Sequence, residues 1–131
     1  MSKDQYHYGV GRRKACTARA KIYSGSGLTI IVNGKEAQQY FPDYYLKSIQ
    51  NMLTNVGVSE AKIELFINGG GVMGQSDAAI LAISKALLKK DEEAYKPMIK
   101  FHDYNSTDIR KVLPKRPGLL KARKARQWVK R

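Results

Sequence analysis

The chain has 131 residues, 43% of them apolar, and a formal net charge of +13 at neutral pH: one domain's length, enough apolar content for a core, and a field that favours a polyanionic partner. The longest unbroken apolar run, Ala78 to Ile83, is far short of the ~20 residues of a membrane span, and MSKDQYHYG lacks a signal peptide's apolar stretch. The single cysteine, Cys16, excludes an internal disulfide and a cysteine metal cluster, so a cytoplasmic protein facing nucleic acid, not a membrane, is expected.

In chain order, Gly9-Val10-Gly11 leads into three successive cations, Arg12, Arg13 and Lys14. Strand side chains alternate between faces, so these three avoid a core only where the backbone is irregular or the segment lies at an edge. From Ala15 to Tyr23, small or apolar Cys16, Ala18, Ala20 and Ile22 alternate with Thr17, Arg19 and Lys21, which predicts a half-buried strand. Ser24 to Gly27 interrupts, and the run Leu28 to Val32 predicts a second strand, read as hairpin partner of the first and ended by the turn dipeptide Asn33-Gly34.

Pro42 suits a first helical turn, and Leu46, Ile49, Leu53 and Val56 follow at helical spacing until Gly57. Ile63, Leu65 and Ile67 alternate with Lys62, Glu64 and Asn68 in a further strand running into Gly69-Gly70-Gly71. Beyond Gly74 a helix is expected to about Lys89 or Lys90, with Ser76 or Asp77 near its start, Ala79, Ile83 and Leu87 on one face, and Ala82 and Ala86 allowing close packing. Asp91 to His102 reads as a short helix that Pro97 kinks or begins. After Thr107, Pro114, Pro117 and Gly118 prevent regular structure. The expected architecture is an α/β (α+β) domain over residues 1–108, with helices on one face of a small sheet, followed by an extended basic tail over 109–131.

Charge sharpens that division. Residues 110–131 hold ten Lys or Arg and no acid, residues 1–21 hold six against Asp4, and residues 22–109 hold eight against ten acids. Each tail cation that neutralises a phosphate releases condensed counterions, which predicts strong, salt-sensitive binding. Trp128 offers a face for base stacking or an apolar anchor for the tail. The segment GGGVMGQS (69–76) spaces its glycines as a phosphate-binding loop does, but Gln75 stands where the lysine of a nucleotide-hydrolysing loop is required. It remains either a tight turn or a helix start whose backbone N–H groups receive a phosphate. His7, His102 and Cys16 form no catalytic signature, Asp91-Glu92-Glu93 reads as helix-end charge, and Asn105-Ser106-Thr107 matches a glycosylation pattern by coincidence. No enzyme, metal, cofactor or small-molecule substrate is expected.

Taken in order, Tyr6-x-Tyr8-Gly9-x-Gly11-Arg12-Arg13-Lys14, Val32-Asn33-Gly34, Tyr40-Phe41, Gly69-Gly70-Gly71-x-x-Gly74-Gln75 and Gly118-Leu119-x-Lys121-Ala122-Arg123-Lys124-x-x-Gln127-x-x-Lys130-Arg131 resemble the bacterial-type family of small ribosomal subunit protein nine. The resemblance implies a four-stranded mixed sheet with helices on one face, of the kind called ribosomal-protein-S-five second-domain-like. It implies a place in the head of the small subunit, against ribosomal RNA and neighbouring ribosomal proteins, with the tail reaching peptidyl-site transfer RNA. Carried onto this sequence, the ribosomal RNA contacts are Gly11, Arg12, Arg13, Lys14, Arg19, Gly70, Gly71, Gly74, Gln75, Arg110, Lys115, Arg116, Lys121, Arg123, Lys124 and Arg126. The transfer RNA contacts are Gln127, Trp128, Lys130 and Arg131. Asp77, Ile80 and Leu81 stand where the family usually has small residues and an Arg-His pair, and Val129 where it has serine. The other reading of the charge pattern is a free-standing nucleic-acid-binding protein or RNA chaperone.

Overall fold

Alternation places the sheet. A computed structural model describes residues 5–130, and in it Cys16, Ala18, Ala20 and Ile22 of strand β2 (Cys16–Tyr23) are all buried while the residues between them are not. The same pattern recurs in β5 (Ala61–Asn68), where Ala61, Ile63, Leu65 and Ile67 point inward. These two strands pair antiparallel at the centre, with Ala20 opposite Leu65 and Ile22 opposite Ile63.

The remaining strands differ from the expectation. Tyr6–Arg13 is itself a strand, β1, on the edge of the sheet and paired antiparallel with β2, so the three cations are accommodated by an edge position and by a turn at Lys14, whose φ is 55°. Strand β3 (Leu28–Val32) does not form a hairpin with β2; it pairs in parallel with β5, which lies between them. The hairpin that Asn33-Gly34 closes is β3 with the two-residue strand β4 (Lys35–Glu36). The order is β1-β2-β5-β3-β4, five strands where four were expected.

Helix α1 (Ala37–Tyr40) is a single turn, followed by α2 (Asp43–Val56), which buries Leu46, Ile49, Met52, Leu53 and Val56 and ends at left-handed Gly57. Helix α3 (Val72–Lys90) starts two residues before Gly74, which lies buried inside its first turn. Helix α4 (Glu92–His102) is capped by Asp91, which accepts the Ala94 N–H at 3.2 Å, and has Glu92 and Glu93 in its first turn and Lys100 in its last, the signs that the helix dipole favours. Pro97 neither begins nor ends it; the Glu93 carbonyl loses its helical donor, but Glu93 is exposed and water can replace it.

Packing of α3 explains the glycines of β1. A Cβ on Gly9 would collide with the Ala82 carbonyl oxygen, and one on Gly11 with that of Ala78. The helix backbone therefore rests directly on the strand, and Ala78, Ala82 and Ala86, each fully buried, form its contact stripe. Gly9 and Gly11 serve this approach; Gly11 is buried beneath the helix. The opposite stripe, Ala79, Ile83 and Leu87, completes a core shared with Ile49, Met52 and Leu53 of α2 and Ile99 of α4. Tyr6, Arg12, Arg19, Lys62 and Phe66, on the other side of the sheet, are exposed.

Candidate nucleic-acid interface

One end of the domain collects most of the residues singled out in its folded part. The triple-glycine loop folds onto the β1–β2 turn: Gly69 and Gly70 have φ of 78° and 62°, and side chains there would collide with the Ala15 carbonyl and the Cys16 sulfur. At these two positions only glycine satisfies both the positive φ and the lack of room. Gly74 meets the same sulfur, at 2.8 Å from where its Cβ would be. Gln75 is held in this loop, donating to the Gly69 carbonyl at 3.0 Å while its amide oxygen accepts from the Tyr40 hydroxyl at 2.9 Å. Gly71, in contrast, has open space where a Cβ would stand and begins α3 without a side-chain cap.

Arg13 turns away from solvent. Its side chain is 10% exposed; Nε lies 3.5 Å from Asp77 and Nη1 3.0 Å from Asp108, the latter close enough for an ion pair but out of hydrogen-bond alignment. Asp77 is thus a structural counterion. Asp108 is gripped from the other side by Arg110, whose Nε and Nη2 donate to its carboxylate at 2.7 to 3.1 Å. That bidentate pair, joined by the Arg110 backbone N–H and the field of Arg13, holds the Asp108 carboxyl well below the usual carboxylate range and raises Arg110. The double pairing ties the segment after α4 to the β1–β2 end.

Around this tie lies a cavity of about 560 Å³ lined by Arg12, Arg13, Lys14, Thr107, Asp108 and Lys111 among others. Arg12 and Lys14 are exposed, and Lys111 joins them from the segment beyond Asp108. Three cations with outward-facing charge beside the uncapped start of α3 make a surface that can hold a phosphate backbone. The sequence does not single out Lys111, which is there one cation among ten.

The other sequence-derived residues lie elsewhere. Arg19 is exposed on the open side of the sheet. Residues 105–130 contain neither helix nor strand; a turn around Gly118 is closed by the Leu119 N–H donating to the Arg116 carbonyl at 3.3 Å, and the Leu120 N–H donates to the Lys124 carbonyl at 2.8 Å. Lys115, Arg116, Lys121, Arg123, Lys124, Arg126, Gln127 and Lys130 are exposed along it. Trp128 is 82% exposed and so does not anchor this segment to the domain. Arg131 lies outside the described residues.

No helix among the described residues is long and apolar enough to cross a membrane. Residues 11–131 match the family model described as "Ribosomal protein S9/S16". Among curated proteins, the "Small ribosomal subunit protein uS9" of Desulfovibrio desulfuricans is 40% identical over 130 residues, covering 98% of each chain. That of Porphyromonas gingivalis is 41% identical over 128 residues, 96% of this chain and 98% of the relative. That of Azobacteroides pseudotrichonymphae is 40% identical over 124 residues, 93% of this chain and 95% of the relative.

Proposed function

The chain belongs to the ribosomal protein S9/S16 family, and from that premise we propose that it is a structural, non-catalytic constituent of the small ribosomal subunit that binds ribosomal RNA and reaches peptidyl-site transfer RNA through its basic C-terminal segment. The observation that carries this reading is the junction of Arg12, Lys14 and Lys111 around one cavity at the root of an exposed, acid-free chain. The domain offers a charged seat for folded RNA, and the segment beyond residue 109 is an arm of cations able to follow it. Phosphate contacts supply affinity and the shape of the RNA supplies specificity.

In this reading the arm divides in two. Arg110 to Arg126 neutralise ribosomal RNA, while Gln127, Trp128, Lys130 and Arg131 meet transfer RNA and the exposed indole supplies a stacking face. The work takes place in the cytoplasm, on the ribosome, beside neighbouring proteins of the subunit head.

Gradient sedimentation of a tagged copy at low and high salt, with the co-sedimenting RNA sequenced, tests the proposal. Retention in one small-subunit particle at both salts is the expected result. Release at high salt with a mixed RNA population would identify a free-standing binder instead. Deleting Lys130 and Arg131 is expected to weaken transfer RNA retention and leave assembly intact.

A further inference from the structure

The side of the sheet away from α3 carries a pattern that the interface described above does not use. In register, Tyr8 of β1 stands beside Lys21 of β2 and Glu64 of β5, with Tyr6, Tyr23 and Lys62 in the row on one side and Arg19 and Phe66 in the row on the other. The result is a diagonal across three strands: Tyr6, Lys21, Phe66. The Lys21 ammonium lies 4.8 Å from the centre of the Tyr6 ring and 5.5 Å from that of Phe66, so one cation is held between two aromatic faces. Both rings are nearly half exposed, at 46% and 45%.

Charge distinguishes between possible occupants. Arg12, Arg19, Lys21 and Lys62 face solvent or half-face it on this side of the three strands, against the acid Glu64, which already has Lys62 at 3.7 Å and the Tyr23 hydroxyl donating at 3.4 Å. The centre of a protein–protein interface is depleted in lysine. Rings interleaved with cations are instead the composition of surfaces on which unpaired bases stack while the backbone is neutralised, since every base has a π face. A paired helix cannot use these rings, because its bases are already stacked and its deep groove admits no side chains.

The geometry points to this open sheet face as a second RNA site, taking unpaired nucleotides: two bases take the faces of Tyr6 and Phe66 that Lys21 covers in the free chain, and the Lys21 ammonium moves onto the phosphate between them. Arg19 and Arg12 continue the cationic track toward the β1–β2 turn, so the platform leads to the phosphate seat at the domain's end. The site rests on the reading of the chain as an RNA-binding protein and adds to the domain a contact that depends on strandedness, which the cations of the arm do not supply.

The test compares the full chain with its Tyr6→Leu/Phe66→Leu double variant and with Lys21→Gln, measuring affinity for a twelve-nucleotide oligouridine and for a fully paired RNA duplex across a salt series. Circular dichroism checks that each variant folds, as the near-half exposure of Tyr6 and Phe66 and the position of Lys21 outside the core predict. Stacking worth ~1–3 kcal/mol per base predicts that the double variant loses at least about thirtyfold for the single strand and stays within about twofold for the duplex. Its salt slope on the single strand remains that of the parent, since no charge is removed, whereas Lys21→Gln lowers the slope by about 0.7. Single-strand affinity of the double variant within about twofold of the parent overturns the proposal and leaves the RNA-binding reading standing. A parent that binds neither RNA overturns that reading and the platform with it. If a neighbouring protein covers the face instead, the double variant binds both RNAs like the parent and fails to enter reconstituted small subunits, which also overturns the proposal.

Discussion

The side chain of Asn33 completes the parallel pairing of β5 by binding the backbone of Ile67 twice: its amide nitrogen donates to the Ile67 carbonyl at 3.0 Å, and its amide oxygen accepts the Ile67 N–H at 2.9 Å. Its own backbone N–H donates to the Leu65 carbonyl at 2.8 Å. One residue thus both turns the chain, at φ 50°, and extends the ladder where β3 has ended. Replacing Asn33 with alanine removes both side-chain bonds and puts a less tolerant residue at positive φ, for an expected loss of about 2–3 kcal/mol. Asn33→Asp keeps the acceptor, loses the donor and faces a carbonyl with a charge, so urea denaturation should find it no better than alanine.

Gly11→Ala and Gly9→Ala are expected to be among the most damaging single-methyl changes in the chain. The atoms they meet belong to the α3 backbone, which cannot swing aside as a side chain would. Helix and strand must separate, at a cost of about 3 kcal/mol or more. Thermal unfolding should show a drop of at least about 10 °C, against near-neutrality for a control at Gly71, where nothing crowds the site. Equal effects at Gly11 and Gly71 would contradict the packing argument.

Ser84 makes the opposite case. It is fully buried and its hydroxyl donates to the Ile80 carbonyl one turn back at 2.8 Å. That carbonyl already belongs to the helical ladder, so Ser84→Ala strands no polar group. The change should cost less than about 0.5 kcal/mol or stabilise slightly; a loss of about 2 kcal/mol would mean that the hydroxyl has a further partner.

Acid tests the tie at Asp108. Its carboxyl is stronger in the folded chain than in the unfolded one, so its contribution to stability is fully present above an ordinary carboxylate value of about 4 and is lost only as the pH falls through the lower folded value. A carbon-detected NMR titration should find no Asp108 midpoint between pH 3 and 5. In Arg110→Gln, which removes the largest cause of the shift, a midpoint should rise toward that window; one near 4 in the parent would mean that the ion pairs do not form in solution.

Salt dependence tests the arm. Replacing Lys121, Arg123 and Lys124 together with glutamine should lower the slope of log K on log salt by about 2–3 if all three meet phosphates. Thermal stability should be unchanged, because these side chains are exposed on a segment outside the core. An unchanged slope would show that the cations stay solvated when RNA is bound.

Periodicity makes β2, β5 and α2 legible in the sequence, since each fills a buried face with apolar side chains at regular spacing. Strand β1 is hidden for the converse reason: its inward positions near α3 are Gly9 and Gly11, and the bulk that fills their face comes from alanines on α3 about seventy residues away. A hairpin of β2 with β3 follows from adjacency alone, and adjacency is silent about a later strand inserting between them. β4 is too short to show a period. At the candidate interface the cations are countable, but whether each faces outward is not. Arg13 reads like Arg12 in the sequence; only the return of Asp77 and Asp108 to its side reveals that its charge is already met. The platform residues are present in the alternation as the members opposite the apolar set, yet a period of two does not tell which strands lie side by side, and the diagonal from Tyr6 through Lys21 to Phe66 exists only once β5 is placed against β2.

The central position of β5 has a consequence for how the chain is made. Strands β1 and β2 can join as soon as both exist, as can β3 and β4, yet among the described residues the sheet joins the two ribbons through β5, a strand that begins at Ala61. Until then strands β1 to β4 are two unfinished ribbons with bare edges, the kind of intermediate most exposed to mispairing. Arrival of Asn68 lets the sheet close, and α3 follows to seal it against Gly9 and Gly11. The cationic segment emerges after both events, attached to a finished domain, so the part of the chain with the greatest capacity to adhere to any nearby nucleic acid is the part that appears once folding no longer needs to be protected from it.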